Sequence, residues 1–161
     1  MDTRIYMSSN VKKVDASECI NKLEDLLAQE QQIPLEFGHI FSGGMYARTV
    51  LIPQGTICTG LVHKSEHLNI LAKGKCIVFT TDTQSEQKEA PCIFSAKAGV
   101  KKAVYALEDV LWTTIHVCTS TTVTEAEIEV AEPPRKHIQK AHECVQAGTH
   151  ITPTSKQMME K

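Results

Sequence analysis

The sequence has no long apolar run and little net charge. Its 161 residues include 17 Lys or Arg and 19 Asp or Glu, which gives a formal charge of −2. Nucleic-acid polymers and anionic membranes are usually bound through a concentrated basic excess, so neither is an expected partner. No apolar segment approaches the roughly 18 residues that span a bilayer, and a signal-peptide pattern is absent. We therefore expect a soluble, cytoplasmic protein whose partner is a small molecule or another protein.

The sequence also lacks the motifs of several common catalytic sites. It contains no glycine-rich phosphate loop, no Gly-x-Ser-x-Gly segment and no Cys-x-x-Cys pair. These absences argue against a P-loop nucleotide hydrolase, a serine acyl transferase, a zinc knuckle and a thioredoxin-type redox site. The six cysteines lie far apart, mostly among apolar residues and threonines, and we expect reduced, half-buried thiols.

Helical periodicity is confined to the two ends of the chain. Over residues 17–31 the apolar side chains recur at helical spacing, and Pro34 follows them. We therefore assign residues 1–34 to an N-terminal arm and an amphipathic helix. Residues 119–161 form a polar linker and tail, with one predicted helix over 135–146. This tail could pack on the main domain, reach a neighbouring subunit or stay mobile.

Short β-rich runs separated by turn residues occupy positions 35–118. The predicted strands are 35–41, 45–52, 56–63, 67–72, 75–80, 91–95, 102–107 and 110–118. The polar stretch 82–89 is predicted to be a turn. Regular short strands without intervening helices indicate one antiparallel sandwich or barrel rather than βαβ units. At this length one domain with a sizeable core is expected.

Two imidazoles and a carboxylate precede the apolar strand that ends at Gly74. The segment begins His63-Lys-Ser-Glu66-His67. Imidazole and carboxylate are the usual protein ligands of zinc, iron, nickel and manganese. His63 and His67 can bind one divalent ion if a turn or bulge separates them.

Residues 60–74 resemble the first motif of the cupin superfamily, in which a glycine, two histidines and a glutamate precede a second glycine. Aligned on Gly74, His63 matches the second histidine and His67 takes the place of the glutamate, whereas Leu61 replaces the first histidine. Residues 97–102 resemble the second motif, with Lys102 in place of its histidine. The chain therefore resembles cupins in its glycines and strand spacing more than in its ligands.

The resemblance covers residues 45–118 and implies an all-β fold. The implied architecture is a cupin-type, RmlC-like jelly-roll barrel with an N-terminal amphipathic helix and a C-terminal helical tail. Because cupin-like barrels commonly pair, a homodimer is expected. Residues 66–71, 105–109 and 112–116 also resemble small cupin-like proteins of tailed phages. This second resemblance implies the host cytoplasm as the location and, as one candidate function, action on a host nucleotide signal used in antiviral defence.

If His67 matches the inward glutamate of the cupin motif, as the resemblance implies, strand alternation predicts which side chains line the interior. His67 and Asn69 share one face of their strand, and Trp112 and His116 share one face of the last strand. An indole beside an imidazole suits a pocket wall, so Asn69 and Trp112 are predicted to bind the ligand. The alternation also makes His116 the natural third metal ligand.

The predicted metal site therefore consists of His63, His67 and His116. Glu66 would be a fourth ligand or a general base, and an enzyme of this kind would use His63, His67 and Glu66 as its catalytic residues. The same histidines could work without metal, because imidazole titrates near neutral pH and can move protons in an epimerisation or hydrogen-bond a nucleotide or sugar.

Basic residues give a second indication of the ligand. Lys102 would bring a cation to the place of a metal ligand, with Lys97 and Lys101 nearby and Arg48 across the barrel. If Lys102 points inward, the pocket suits an anion such as a nucleotide or sugar phosphate. The alternative is a solvated turn with ordinary lysines.

Two functions of different classes follow. The first is a small-molecule-binding cupin that acts on or sequesters an anionic ligand, with or without a divalent metal. The second is a structural or assembly protein that uses the barrel as a scaffold and the tail as its contact surface. The sequence leaves open whether the protein is an enzyme.

Overall fold

The computed structural model describes residues 15–81 and 85–148. In chain order the elements are helix α1 (Ala16–Leu27), strands β1 (Glu36–Ser42), β2 (Met45–Ile52), β3 (Ile57–Thr59), β4 (His67–Lys73), β5 (Lys75–Thr80), β6 (Glu86–Glu89), β7 (Cys92–Ala96), β8 (Lys102–Ala106) and β9 (Val110–Val117), helix α2 (Val123–Val130), a 3-10 turn (Lys136–Ile138) and helix α3 (Gln139–Gln146). Within these described ranges, none of the helices is both long and apolar enough to cross a bilayer. The outermost parts of the predicted arm and tail, 1–14 and 149–161, lie outside the described residues.

The strands form two antiparallel sheets with nested pairing. One sheet has the order β1-β2-β9-β4-β7 and the other the order β3-β8-β5-β6. Strand β2 pairs with β9, β3 with β8, β4 with β7 and β5 with β6. This is the pairing of one long hairpin rolled into two facing sheets, which is a jelly roll. The predicted all-β jelly roll with an N-terminal helix and C-terminal helices is confirmed, and β1 extends its first sheet.

Two element predictions are wrong, both in polar segments. The stretch 82–89 contains β6, whose backbone pairs with β5 although its side chains are charged or amide. Helix α2 lies in the predicted linker, where the Thr122 hydroxyl caps its first turn and Ala126 and Val130 are buried. Strand β6 forms through backbone pairing, and helix α2 buries only two residues. Neither feature produces a strong apolar periodicity in the sequence. Helix α1 also ends at Leu27, before the predicted residue 31.

The main core fills the space between the sheets. Both sheets contribute to this cluster, and one wall of it is on β9. Its buried members are Ile52, Leu71, Cys76, Val78, Val104, Ala106, Val110 and Trp112. Burial raises the pKa of the Cys58 thiol, which packs against this core, to about 12, and that of the Cys76 thiol to about 11. The core thiols are therefore protonated and unreactive, as the apolar context of the cysteines predicts.

The chain after β9 packs back on the jelly roll. Helix α2 covers a second apolar cluster with Tyr46 and Cys118 at its base. Beyond the helix, the Glu132 amide donates to the Val62 carbonyl at 2.8 Å, and the Lys64 amide donates to the Val130 carbonyl at 2.9 Å. The described part of the tail therefore packs on the main domain, which is one of the three alternatives for the tail. It holds the backbone of the segment that carries His63.

One buried carboxylate, that of Glu24, joins both ends of the chain to the second sheet. Its Oε2 accepts from Lys101 Nζ at 2.7 Å and from Arg135 Nη2 at 2.7 Å, and its Oε1 accepts from Thr59 Oγ1 at 3.1 Å. Arg135 also pairs with Asp25 on the same helix. Helix α1, the start of β8 and the tail therefore meet at one anion.

We expect Glu24→Gln to destabilise the protein by about 3 kcal/mol, because the change leaves the buried Lys101 ammonium without its counter-charge. Chemical denaturation measures the loss. Glu18→Gln is the control on the same helix, since Glu18 forms an exposed pair with Lys22 and should not change the stability measurably. Equal stabilities of Glu24→Gln and wild type would contradict the role given to this carboxylate.

Candidate metal centre

Strands β4 and β9 bring two histidines together. The register pairs Leu68 with Ile115 and Asn69 with Thr114, so His67 and His116 occupy neighbouring positions on the inner face. His67 is 3% exposed and His116 is 1% exposed. The strand alternation of the sequence therefore places both imidazoles inside the jelly roll.

His63 completes a cluster of three rings from the segment before β4. Its backbone forms a bridge with Ala131, and its carbonyl accepts from the Gly99 amide at 2.8 Å. The ring centroids of His63 lie 4.3 Å from those of His67 and 4.7 Å from those of His116, and the last two are 4.5 Å apart. One nitrogen from each ring lies within 4.8 Å of the others.

The hydrogen bonds of His67 define its tautomer. Its Nδ1 lies 3.1 Å from the Ser65 carbonyl oxygen, which can only accept, so Nδ1 carries the proton. Its Nε2 therefore keeps a lone pair, and Lys102 Nζ donates to it at 3.1 Å. A carbonyl that orients a histidine through Nδ1–H is the usual outer support of a metal ligand.

The other two histidines have nitrogens that are buried without a hydrogen-bond partner. These are Nδ1 of His63 and both ring nitrogens of His116. Leaving such a group unpaired costs on the order of 1–3 kcal/mol each, and a bound ion or ligand would remove part of that cost. The unsatisfied nitrogens that carry this cost belong to the rings of the histidine cluster.

Burial keeps the three imidazoles uncharged. It lowers the pKa of His63 to about 2 and the pKa of His116 to about 4, and it lowers the pKa of His67. The neighbouring Lys102 acts in the same direction on each of these pKa values. Neutral imidazole is the form that binds metal ions, so the ligands need not lose protons near neutral pH.

These residues fit a divalent ion. Zinc–nitrogen bonds of about 2.0–2.1 Å in tetrahedral geometry place ligand atoms about 3.4 Å apart, so the rings must close by modest rotation from their present spacing. His67 could bind an ion only if Lys102 releases its Nε2. Three ligands would leave a coordination position for a small molecule.

Asn69 and Trp112 are joined to each other on the inner faces of β4 and β9. The Trp112 indole Nε1 donates to Asn69 Oδ1 at 3.0 Å, and Asn69 is fully buried. The other amide atom, Asn69 Nδ2, has no partner in the described part of the chain. The structure thus places both predicted pocket residues in the interior, with Asn69 one row from the histidines and Trp112 one row farther along the strands.

The remaining predicted site residues lie farther out or have protein partners. Glu66 is exposed and is not part of the histidine cluster, but with His67 and His116 it lines an open groove of about 220 Å³. The Arg48 guanidinium contacts Gln146, Glu127 and the Phe37 ring. The Arg48 side chain is therefore engaged by other residues of this protein.

The predicted basic cluster divides in the structure. Lys102 points inward and is buried, as an interior role requires. Lys101 points to Glu24 instead, and Lys97 is exposed. Lys101 and Lys102, at the start of β8, thus point to opposite sides, as successive positions of a strand do.

Sequence reasoning missed the support of His63. Ala131 and the carbonyl of Val130 are far from His63 in sequence, and they contact its segment only because the tail folds back. The Ser65 carbonyl is a backbone group and carries no residue signature. No motif could have indicated either contact.

The sequence matches no family model and no curated protein. Among solved structures it is similar to a cupin superfamily protein from Desulfitobacterium hafniense (11% identity, TM-score 0.46, 57% of this chain and 87% of that one) and to an RmlC-like cupin from Methanocaldococcus jannaschii (11%, 0.45, 73% and 93%). It is also similar to ectoine synthase from P. lautus at 14% identity and a TM-score of 0.40, over 45% of this chain and 52% of that one. The chain thus spans about half of that synthase. Because identities and TM-scores are this low, function is inferred below from the residues of this chain.

We expect NMR of the metal-free protein to find His67 protonated on Nδ1 and not on Nε2, because Ser65 offers only an acceptor. Nitrogen-15 shifts from long-range proton correlation distinguish the two tautomers. His67→Ala identifies the resonances. A proton on Nε2 would contradict both the Ser65 bond and the availability of Nε2 as a ligand.

Proposed function

We propose that this protein is a small-molecule-binding jelly roll of the cupin type whose His63, His67 and His116 bind a divalent metal ion. The observation that carries the proposal is the meeting of three uncharged, inward-facing imidazoles, two of which have buried nitrogens without partners. Three nitrogen ligands suit zinc, iron, nickel or manganese. When bound, such an ion orients a ligand and polarises its oxygen atoms.

The protein's own groups would orient the ligands and control access. Ser65 fixes the ring of His67, and the contact with Ala131 holds the backbone of His63. The groove lined by His67, His116 and Glu66 also contacts outward residues such as Leu68 and Ile115, so it reaches the two histidines from the outer face of the first sheet. In an enzyme, Glu66 would exchange protons with the entering molecule, and His63 and His67 would be the other catalytic residues. In a binding protein, the same groups would only select the ligand.

For the ligand we extend the proposal to a small anion, such as a nucleotide or sugar phosphate. Lys102 supports it, because its buried ammonium lies beside the histidines. A host nucleotide signal, which the resemblance to phage proteins suggests, falls within this class.

Tag-free wild type should contain about one metal ion per chain by elemental mass spectrometry, because three histidines make one site. The double variant His63→Ala, His67→Ala should contain almost none. His137→Ala is the matched control and should keep the metal, since His137 lies on the surface against Asp25. Wild type that takes up no ion when incubated with zinc, iron, nickel or manganese would refute the metal site and leave metal-free ligand binding as the function.

A structural or assembly role is the second candidate, favoured by the outer face of the first sheet. Every strand of that sheet has an apolar side chain there that is about half exposed or more, and Val117 is 80% exposed. The outward positions are Glu36, Gly38, Ile40, Ser42, Met45, Ala47, Thr49, Leu51, Leu68, Ile70, Lys73, Ile93, Ser95, Leu111, Thr113, Ile115 and Val117. Two of them, Glu36 and Lys73, are charged and lie at one end of the face, and the remaining positions are uncharged.

This outer face would pair with a second copy of the chain. Five strands about 4.8 Å apart and about 25 Å long give a face of about 600 Å², close to the roughly 800 Å² per partner of a standard interface. A homodimer would bury the exposed apolar residues, which soluble proteins seldom leave contiguous.

We expect light scattering after size exclusion to give twice the chain mass for wild type and the single mass for Ile93→Lys, because a buried lysine without a partner opposes pairing. Ile57→Lys on the outer face of the other sheet is the control, since Ile57 is also an exposed apolar residue, at 43% against 68% for Ile93. A monomeric wild type would remove both the dimer and the support for an assembly role.

A further inference from the structure

The carboxamide of Asn69 is held with its donor side free. The indole of Trp112 can only donate, so it must face Oδ1 and not Nδ2. This contact shows which end of the carboxamide is oxygen and which is nitrogen, because the two ends have nearly the same shape. Asn69 is fully buried, and Nδ2 has no partner among the described residues. Two N–H groups are therefore directed into the interior without an acceptor.

These donors lie in the row of side chains next to the histidines. Asn69 follows His67 by two residues, or about 6.6 Å along the strand, on the same face. Across the ladder, Thr114 pairs with Asn69 and precedes His116 by two residues. A group of a few atoms can therefore contact both rows.

After the metal has bound, the unsatisfied atoms of the interior would be donors. A neutral imidazole has one N–H and one lone pair, so His116 donates from whichever nitrogen does not bind the ion. Asn69 adds its two N–H groups. Lys102 Nζ, which lies 3.1 Å from His67 Nε2, adds positive charge to the same region. The unsatisfied side-chain atoms of such a site are N–H donors.

We infer that Asn69 is a specificity-determining residue: its Nδ2 and the free N–H of His116 donate to the oxygens of an oxyanion, a carboxylate or phosphate group of the ligand beside the metal. The inference rests on the proposed function. Oxyanion oxygens only accept, so they match a set of donors. A ligand with a neutral or cationic group there would leave buried donors unpaired and would bind more weakly.

Zinc-loaded, nitrogen-15-labelled protein freed of excess metal tests this by NMR titration. The probes are acetate for the carboxylate, inorganic phosphate for the phosphate, and neutral acetamide as the matched control for acetate. We expect acetate or phosphate to shift the side-chain amide pair of Asn69 in a saturable way, with acetamide binding at least about tenfold more weakly. The responding probe identifies the class of oxyanion.

The variant Asn69→Asp keeps the acceptor for Trp112 but replaces the donors with a carboxylate. It should weaken binding of the responding anion by at least about tenfold. The amide shifts of wild type test the inference even if this variant does not fold. Protein that binds zinc but shows no saturable anion shift would overturn the inference and leave the proposed function standing. Protein that takes up none of zinc, iron, nickel and manganese would overturn the proposed metal site, and metal-free protein titrated with the same anions would then decide the inference alone.

Discussion

A buried carboxylate that must be neutralised connects the candidate site to both ends of the chain. Glu24 lies on α1, and its countercharges come from Lys101 at the start of β8 and from Arg135 in the tail. Lys101 precedes the inward-pointing Lys102, and Arg135 follows the residues that clamp His63. A buried anion tolerates little displacement of its cations. Helix α1, which contributes no residue to the site, therefore constrains two residues that do.

The interior divides into an apolar part and a polar part along the same strands. On β9, Val110 and Trp112 belong to the main core, whereas His116 reaches the histidine cluster. An apolar residue at His116 would bury without penalty, since a jelly roll needs no polar atoms inside it. Retaining unpaired nitrogens there lowers stability, and this cost is what a bound ion and ligand would recover. The unsatisfied nitrogens thus lie at the place where the structure is suited to binding.

The sequence allowed the jelly roll and the inward set of β4 and β9 to be predicted, because a two-residue period fixes which side chains share a face. The resemblance to the cupin motif assigned His67 to the inner face, and the rule then added Asn69 and grouped His116 with Trp112. The rule could not place Glu66, which lies outside the strand and is exposed. Helix α2 and the clamp on His63 depend on contacts between residues far apart in the chain. Such contacts have no local pattern, so only the structure reveals them.

Lys102 and a metal ion compete for one lone pair. His67 Nε2 accepts from the ammonium at 3.1 Å, and its single lone pair cannot also bind an ion. An ion at His67 must therefore displace Lys102, and the two cations would then repel each other at short range. In the proposed site, an oxyanion between them would accept from the ammonium and face the ion, which would convert repulsion into two attractions. Binding of the metal and of the anion would then be coupled, and by linkage each would raise the affinity for the other.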